Sequence, residues 1–115
     1  MNTKEKYLKT IYRLTEAGEK KTTTSELSSH MEVSDASSSE AVQKLEEENL
    51  VCRAAYKGFT LSPMGKKEGE KFLDKNNRLE KFFEEIGVED PEEEAGEVAH
   101  VISEETLGKM ESLVE

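Results

Sequence analysis

The chain is poor in the features that announce an enzyme or a membrane protein. It has one cysteine, Cys52, so an internal disulfide is impossible and a reducing cytoplasm is the expected compartment. No apolar run approaches the ~18 residues that a spanning helix needs. No charged-then-apolar segment opens the chain, so no secretory leader is expected. There is no glycine loop that would cradle phosphate, no nucleophile and base at a recognisable spacing, and no cofactor fingerprint. These absences argue against catalysis. There are no internal repeats. Hydrophobic residues make up 34% and charged residues 37% of 115, which leaves material for a modest core in one domain or two small helical layers.

Positive charge is also scarce. The net charge is −10, an unusual value for a nucleic-acid binder, but it is unevenly spread. Residues 1–62 hold nine Lys/Arg against ten Asp/Glu, and residues 63–115 hold seven against sixteen. The first half is nearly neutral and able to face DNA; the acid lies in the second. The run EDPEEE at 89–94 reads as a solvated helix start, favoured by the helix dipole.

What is present is helical periodicity with good punctuation. In TKEKYLKTIYRLTE, Tyr7, Leu8, Ile11 and Leu14 share one helical face, with Thr3 as a start signal and Gly18 as a stop. A cap among Thr22 to Thr24 opens a short helix bearing Leu27 and Met31. Ser34 caps the next, whose inner face is Ala41, Val42 and Leu45, and Asn49 suits a left-handed C-terminal position. Two short helices joined by a few residues form a helix-turn-helix pattern.

LVCRAAYKGFTLS then reads as two short strands about a turn at Tyr56-Lys57-Gly58. Cys52 is expected to be a small, half-buried residue there. Ser62-Pro63 restarts a helix that runs to about Ile86, loosened at Asn76-Asn77 and ended by Gly87. Pro91 opens a helix over about 92–102 with Val98, Val101 and Ile102 as its apolar side. Ser103 caps a last helix bearing Leu107, Met110, Leu113 and Val114. The order helix, helix-turn-helix, hairpin, helix is that of a winged helix. The expected class is mainly α with a small β-hairpin: a winged helix-turn-helix over 1–72, then a helical dimerisation domain over 73–115. Leu79, Phe82, Phe83 and Ile86 are spaced as a stripe. Adjacent Phe82 and Phe83 are not expected to face one core together, so the stripe is assigned to a two-fold homodimer interface.

Several segments together, KEKYLKTIYRL, SELSSHMEVSDASSSEAVQKLEEENLV, YKGFTLSPMGKKEG and EEEAGEVAHVISEE, resemble the iron- and manganese-dependent repressors, the family of the diphtheria toxin repressor, over nearly the whole chain. The resemblance implies a winged helix, a helical dimerisation domain, two metal sites and DNA binding activated by metal. Many members add a third, SH3-like domain; this chain ends before one would begin, so it resembles a two-domain member or a longer one cut short.

Carried over residue by residue, the implied metal sites are degenerate. The first-helix ligand positions fall on Lys6 and Lys9, and the later-helix positions on Gly96, Ala99 and His100, of which only His100 is a donor of the expected kind. The second site falls on Asn76, Glu80 and Glu92. One imidazole without carboxylates is too few donors for a transition metal, and two lysines at the same place add positive charge. The expectation is that no cofactor is required at the principal site, with Lys6 and Lys9 standing in for the metal. The alternative is a weakly held divalent cation such as manganese or iron at Glu80, Glu92 and His100, since carboxylates suit hard cations. His30 is expected on the surface.

The base-reading positions implied by the resemblance are Ser34, Ala36, Ser37, Ser39 and Glu40, with Lys44, Arg53 and Lys57 as contacts to the phosphate backbone. Serines discriminate bases weakly, Glu40 and Asp35 repel phosphate, and so few cations imply modest affinity at physiological salt. The expected function is a cytoplasmic, dimeric DNA-binding repressor acting on a double-stranded operator, without enzymatic activity. The alternative is a protein-interaction dimer that has lost DNA binding.

Overall fold

A computed structural model describes residues 3–54 and 57–114; the tip of the turn expected at Tyr56-Lys57-Gly58 lies partly outside them. The elements in order are α1 (Thr3–Leu14), α2 (Thr24–Met31), α3 (Asp35–Glu47), β1 (Val51–Arg53), β2 (Phe59–Leu61), α4 (Pro63–Glu85), α5 (Pro91–Val98) and α6 (Glu104–Ser112). The chain divides into two compact units, the first ending at Glu70 and the second beginning at Lys71, with α4 passing from one into the other.

The first unit is a winged helix. α1 buries Tyr7, Leu8 and Ile11, one i, i+4 stripe with its neighbour. Gly18 does not end it alone: Glu16, Ala17 and Gly18 take φ of +48°, +61° and +84° in succession. Thr15 is the scaffold of this turn. Its hydroxyl donates to the Ile11 carbonyl at 2.7 Å and accepts from Gly18 N–H at 3.1 Å. Thr23 caps α2 and Ser34 caps α3, each by accepting a backbone N–H three residues on. Asn49 is left-handed (φ +63°) at the end of α3.

The hairpin pairs Val51 with Leu61, Cys52 with Thr60 and Arg53 with Phe59. An antiparallel bridge from Thr22 to Phe59 adds a short third edge, with two backbone bonds of 2.9 Å; nothing in the local pattern marks it. It is why residue 58 is glycine. A Cβ there would stand 2.4 Å from the Thr22 carbonyl oxygen, on a backbone at φ +100°. Cys52 is exposed, not half-buried: the pleat turns Val51, Phe59 and Leu61 inward and Cys52 out. The core gathers Tyr7, Leu8, Ile11, Leu27, Val42, Leu45, Leu50, Val51, Phe59 and Leu61.

In the second unit α4 continues without a break through Asn76-Asn77. The expected loosening is absent because Asn76 is a buried side chain packed within the unit. α5 stops at Val98, four residues short of expectation, and turns back through Val101 and Ile102 N–H bonds to the Val98 carbonyl. Its inner face also differs. Ala95 and Ala99 are buried while Val101 is 83% exposed, because alanine permits close helix approach and the chain has already left the helix at Val101. Phe82 and Phe83 are both buried, 8% and 9% exposed, in one cluster with Phe72, Leu79, Ala95, Ala99 and Leu107. Their rings tilt against each other at 6.0 Å. The expectation that the two could not share one core is therefore wrong. The unit packs around α4 on a wide arc, and each phenylalanine contributes roughly 1.5–3 kcal/mol by burial. Of the expected interface stripe only Ile86 is exposed.

Candidate nucleic-acid interface and metal positions

The N-terminal face of α3 is open. Ser34, Ala36, Ser37, Ser39, Glu40 and Lys44 are exposed, as are Arg53 on β1 and Lys57 in the loop between the strands. Sequence alternation explains the outward set: Ser38, Val42 and Leu45 turn inward, which leaves the intervening positions to solvent. The serines are not equivalent. Ser34 Oγ accepts the Ser37 N–H at 3.1 Å and donates to Ser37 Oγ at 3.0 Å, so its hydroxyl holds the helix start. Ser39 has the freer geometry for a base edge or phosphate. Ser38 is fully buried and its Oγ meets no hydrogen-bond partner.

Acid accompanies two of the three cations. Lys44 lies 3.5 Å from Glu40, with both side chains about 70% exposed, and Arg53 lies 3.4 Å from Glu46. Such exposed pairs are worth little and exchange readily for phosphate. Asp35, the first residue of α3, accepts a hydrogen bond from Ser28 Oγ on α2. The sequence reading treated Asp35 only as a repulsive charge; its buried partner seven residues earlier was the missing signal.

The metal positions are split between the units. Lys6 is exposed and Lys9 half-buried on α1 in the first. In the second, His100 is half-buried with its ring centroid 4.8 Å from that of Phe72. Ala99 is buried, Glu80 half-buried, and Glu92 exposed. Asn76 is 4% exposed and its Oδ1 meets no hydrogen-bond partner; a Cβ placed on Gly96 would lie 3.9 Å from it, with no other atom closer than 4 Å. Among the described residues, no three His, Cys, Asp or Glu gather as a metal site, and Glu80, Glu92 and His100 are not brought together as one. Gly96 and Ala99 bring no side-chain donor and Asn76 only a neutral amide; with the one imidazole of His100 they do not make up the donor set of a transition metal, which takes anionic or imidazole donors in numbers.

One organising residue was missed entirely. Arg78 donates to Glu111 at 2.6 Å, to Glu104 at 2.8 Å and to Asp74 at 3.2 Å. These bonds, Glu111 first, raise the guanidinium above its ordinary range, and Arg78 in turn lowers Glu111. Lys75 Nζ closes the end beyond α5 by donating to the Ile102 carbonyl at 2.7 Å. Only the Asp74–Arg78 spacing of four is visible in the sequence; the other two partners, Glu104 and Glu111, come from the two ends of α6.

Family models match both parts of the chain: the iron dependent repressor N-terminal DNA binding domain over residues 1–59, and the iron dependent repressor metal binding and dimerisation domain over residues 62–115. The chain belongs to the iron-dependent repressor family, one of transcriptional repressors and not of enzymes. It is 35% identical over 86 residues to the HTH-type transcriptional regulator MntR of Oceanobacillus iheyensis, covering 75% of this chain and 58% of that protein. It is 27% identical over 113 residues to MntR of Bacillus pumilus, covering 96% and 78%. The solved structure of the manganese regulator SloR superposes with a TM-score of 0.80 at 26% identity, over 98% of this chain and 54% of that one. The chain thus spans little more than half the length of two of these three relatives. The match supports the winged-helix class. No described helix is long and apolar enough to cross a membrane.

Proposed function

We propose that this protein is a cytoplasmic DNA-binding repressor that acts as a homodimer and reads a double-stranded operator with the exposed N-terminal face of α3. The observation that carries this reading is the open, serine-capped start of α3, with Lys44, Arg53 and Lys57 nearby in a nearly neutral unit. The relatives' names, transcriptional regulator and manganese regulator, point the same way. A two-fold dimer would set two copies of α3 into successive major grooves, about 34 Å apart, and so favour a near-palindromic site. The dimer surface is assigned to Ile86, Leu113 and Val114, which are 53%, 83% and 40% exposed. Leu79, Phe82 and Phe83 serve the unit's own core.

The same reading holds that no transition metal is required at the family's principal position. Its support is the donor chemistry at the matched positions: Gly96 and Ala99 offer no side-chain donor, which leaves His100 as the one imidazole on that helix. Glu80, Glu92 and His100, which are not gathered as one site, do not supply a hard-cation site in its place. Fluorescence anisotropy with duplex DNA at low and moderate salt tests the function. Sequence-selective binding that falls as salt rises supports it; no binding at low salt would favour a protein-interaction dimer.

A further inference from the structure

The turn between α2 and α3 is held from both ends by one serine. Ser28 is only 4% exposed. Its backbone carbonyl accepts the Val33 N–H at 3.1 Å, next to Glu32, the left-handed residue that ends α2 (φ +57°). Its hydroxyl donates to the carboxylate of Asp35, the first residue of α3. That hydroxyl also lies 3.1 Å from the Ser25 carbonyl, but it carries a single proton, and the Asp35 oxygen is the nearer acceptor. Asp35 stands on a surface where acid repels phosphate, so its presence calls for another reason. The helix dipole favours an acid at this end, but Ser34 already caps it; what Asp35 adds is the tie to α2.

We infer that Asp35 is a positioning residue for DNA recognition: through Ser28 it fixes the direction in which α3 leaves the turn, and with it the register of Ser37, Ser39 and Glu40 on the bases. This rests on the DNA-binding reading above. It predicts that Ser28 and Asp35 govern selectivity rather than general attraction to DNA. General attraction comes from cations that the pair does not touch, whereas selectivity depends on helix direction.

The test begins with a duplex enriched by the wild-type protein from a random library, and with a scrambled duplex of the same composition. Affinities for both are measured for wild type, Ser28→Ala, Asp35→Ala, the double variant and Asp35→Asn. Ser28→Ala and Asp35→Ala should each shrink the selected-to-scrambled affinity ratio about tenfold, which corresponds to 1.4 kcal/mol. The double variant should lose no more than either single one, since the two side chains act as one unit. Asp35→Asn keeps an oxygen for Ser28 and removes the charge. It should keep the ratio while binding both duplexes more tightly, an outcome that a merely structural role would not give. Damage to the fold would instead weaken binding to both duplexes alike. A wild-type ratio in Ser28→Ala, or a collapsed ratio in Asp35→Asn, would overturn the inference while leaving the DNA-binding reading intact. If the wild-type protein enriches no duplex, that reading fails and this inference fails with it.

Discussion

The two units are stabilised differently. The first buries ten apolar side chains, from α1, α2, α3, both strands and the turn at Leu50, in one cluster and spends its polar groups on helix caps and turns. The second has a smaller core of phenylalanines, leucines and alanines and binds its last helix through one arginine shared by three carboxylates. Each unit keeps a buried side-chain oxygen unpartnered, Ser38 Oγ in the first and Asn76 Oδ1 in the second. The first is the pattern of a scaffold that must present a helix rigidly. The second is more dependent on charge, in the half of the chain where acid exceeds base by nine.

The contrast is broken most forcefully at Leu79. It is fully buried, so Leu79→Ala should cost the second unit about 3 kcal/mol, read as a lower urea midpoint. Phe82→Glu should likewise unfold this unit and not merely separate a dimer, which circular dichroism and sedimentation together distinguish.

Arg78→Ala comes next. Charge-assisted bonds contribute roughly 1.5–3 kcal/mol each when buried, but Asp74 and Glu104 are more than 60% exposed, so the expected loss is about 2 kcal/mol. Glu111, lowered by Arg78 from an ordinary value of 4.5, adds a pH signature. Its contribution is fully present above the unfolded value and is lost as pH falls through the lower folded one. Thermal melts of wild type should therefore decline below about pH 5, and Arg78→Ala should flatten that decline.

A smaller change of opposite sign sharpens the picture of the first unit. Ser38→Ala removes a buried hydroxyl that has no partner and should stabilise the protein by about 1 kcal/mol, visible as a higher melting temperature. Smallest for the fold is Ile86→Ser. Ile86 is 53% exposed, so stability should move by no more than about 0.5 kcal/mol, while sedimentation velocity should show a shift toward monomer if the proposed interface is right.

Legibility in the sequence divided by range along the chain and not by unit. Caps at Thr23, Ser34 and Ser103, the left-handed Asn49 and Gly87, and the hairpin were readable because each is a local rule acting over three or four residues. The Thr22–Phe59 bridge, the Ser28–Asp35 bond and the Arg78 cluster were not, because their partners are brought together by folding and leave no periodic trace. Phe82 and Phe83 misled for a related reason. Helical periodicity tells which residues share a face, not how wide an arc of the helix its neighbours cover. The degenerate donor set could be read only by resemblance. The structure adds that the His100 ring lies tilted against Phe72 and that Asn76 has no partner for its oxygen.

The central claim, a DNA-binding repressor that does not depend on a transition metal at the family's principal position, is tested most directly by one titration. Chelator-stripped protein is added to the enriched duplex with and without manganese(II), and anisotropy is followed at two salt concentrations. The account predicts curves that superimpose within about twofold at each salt and weaken together as salt rises. Binding that appears only with manganese, and that disappears in His100→Ala, would contradict it.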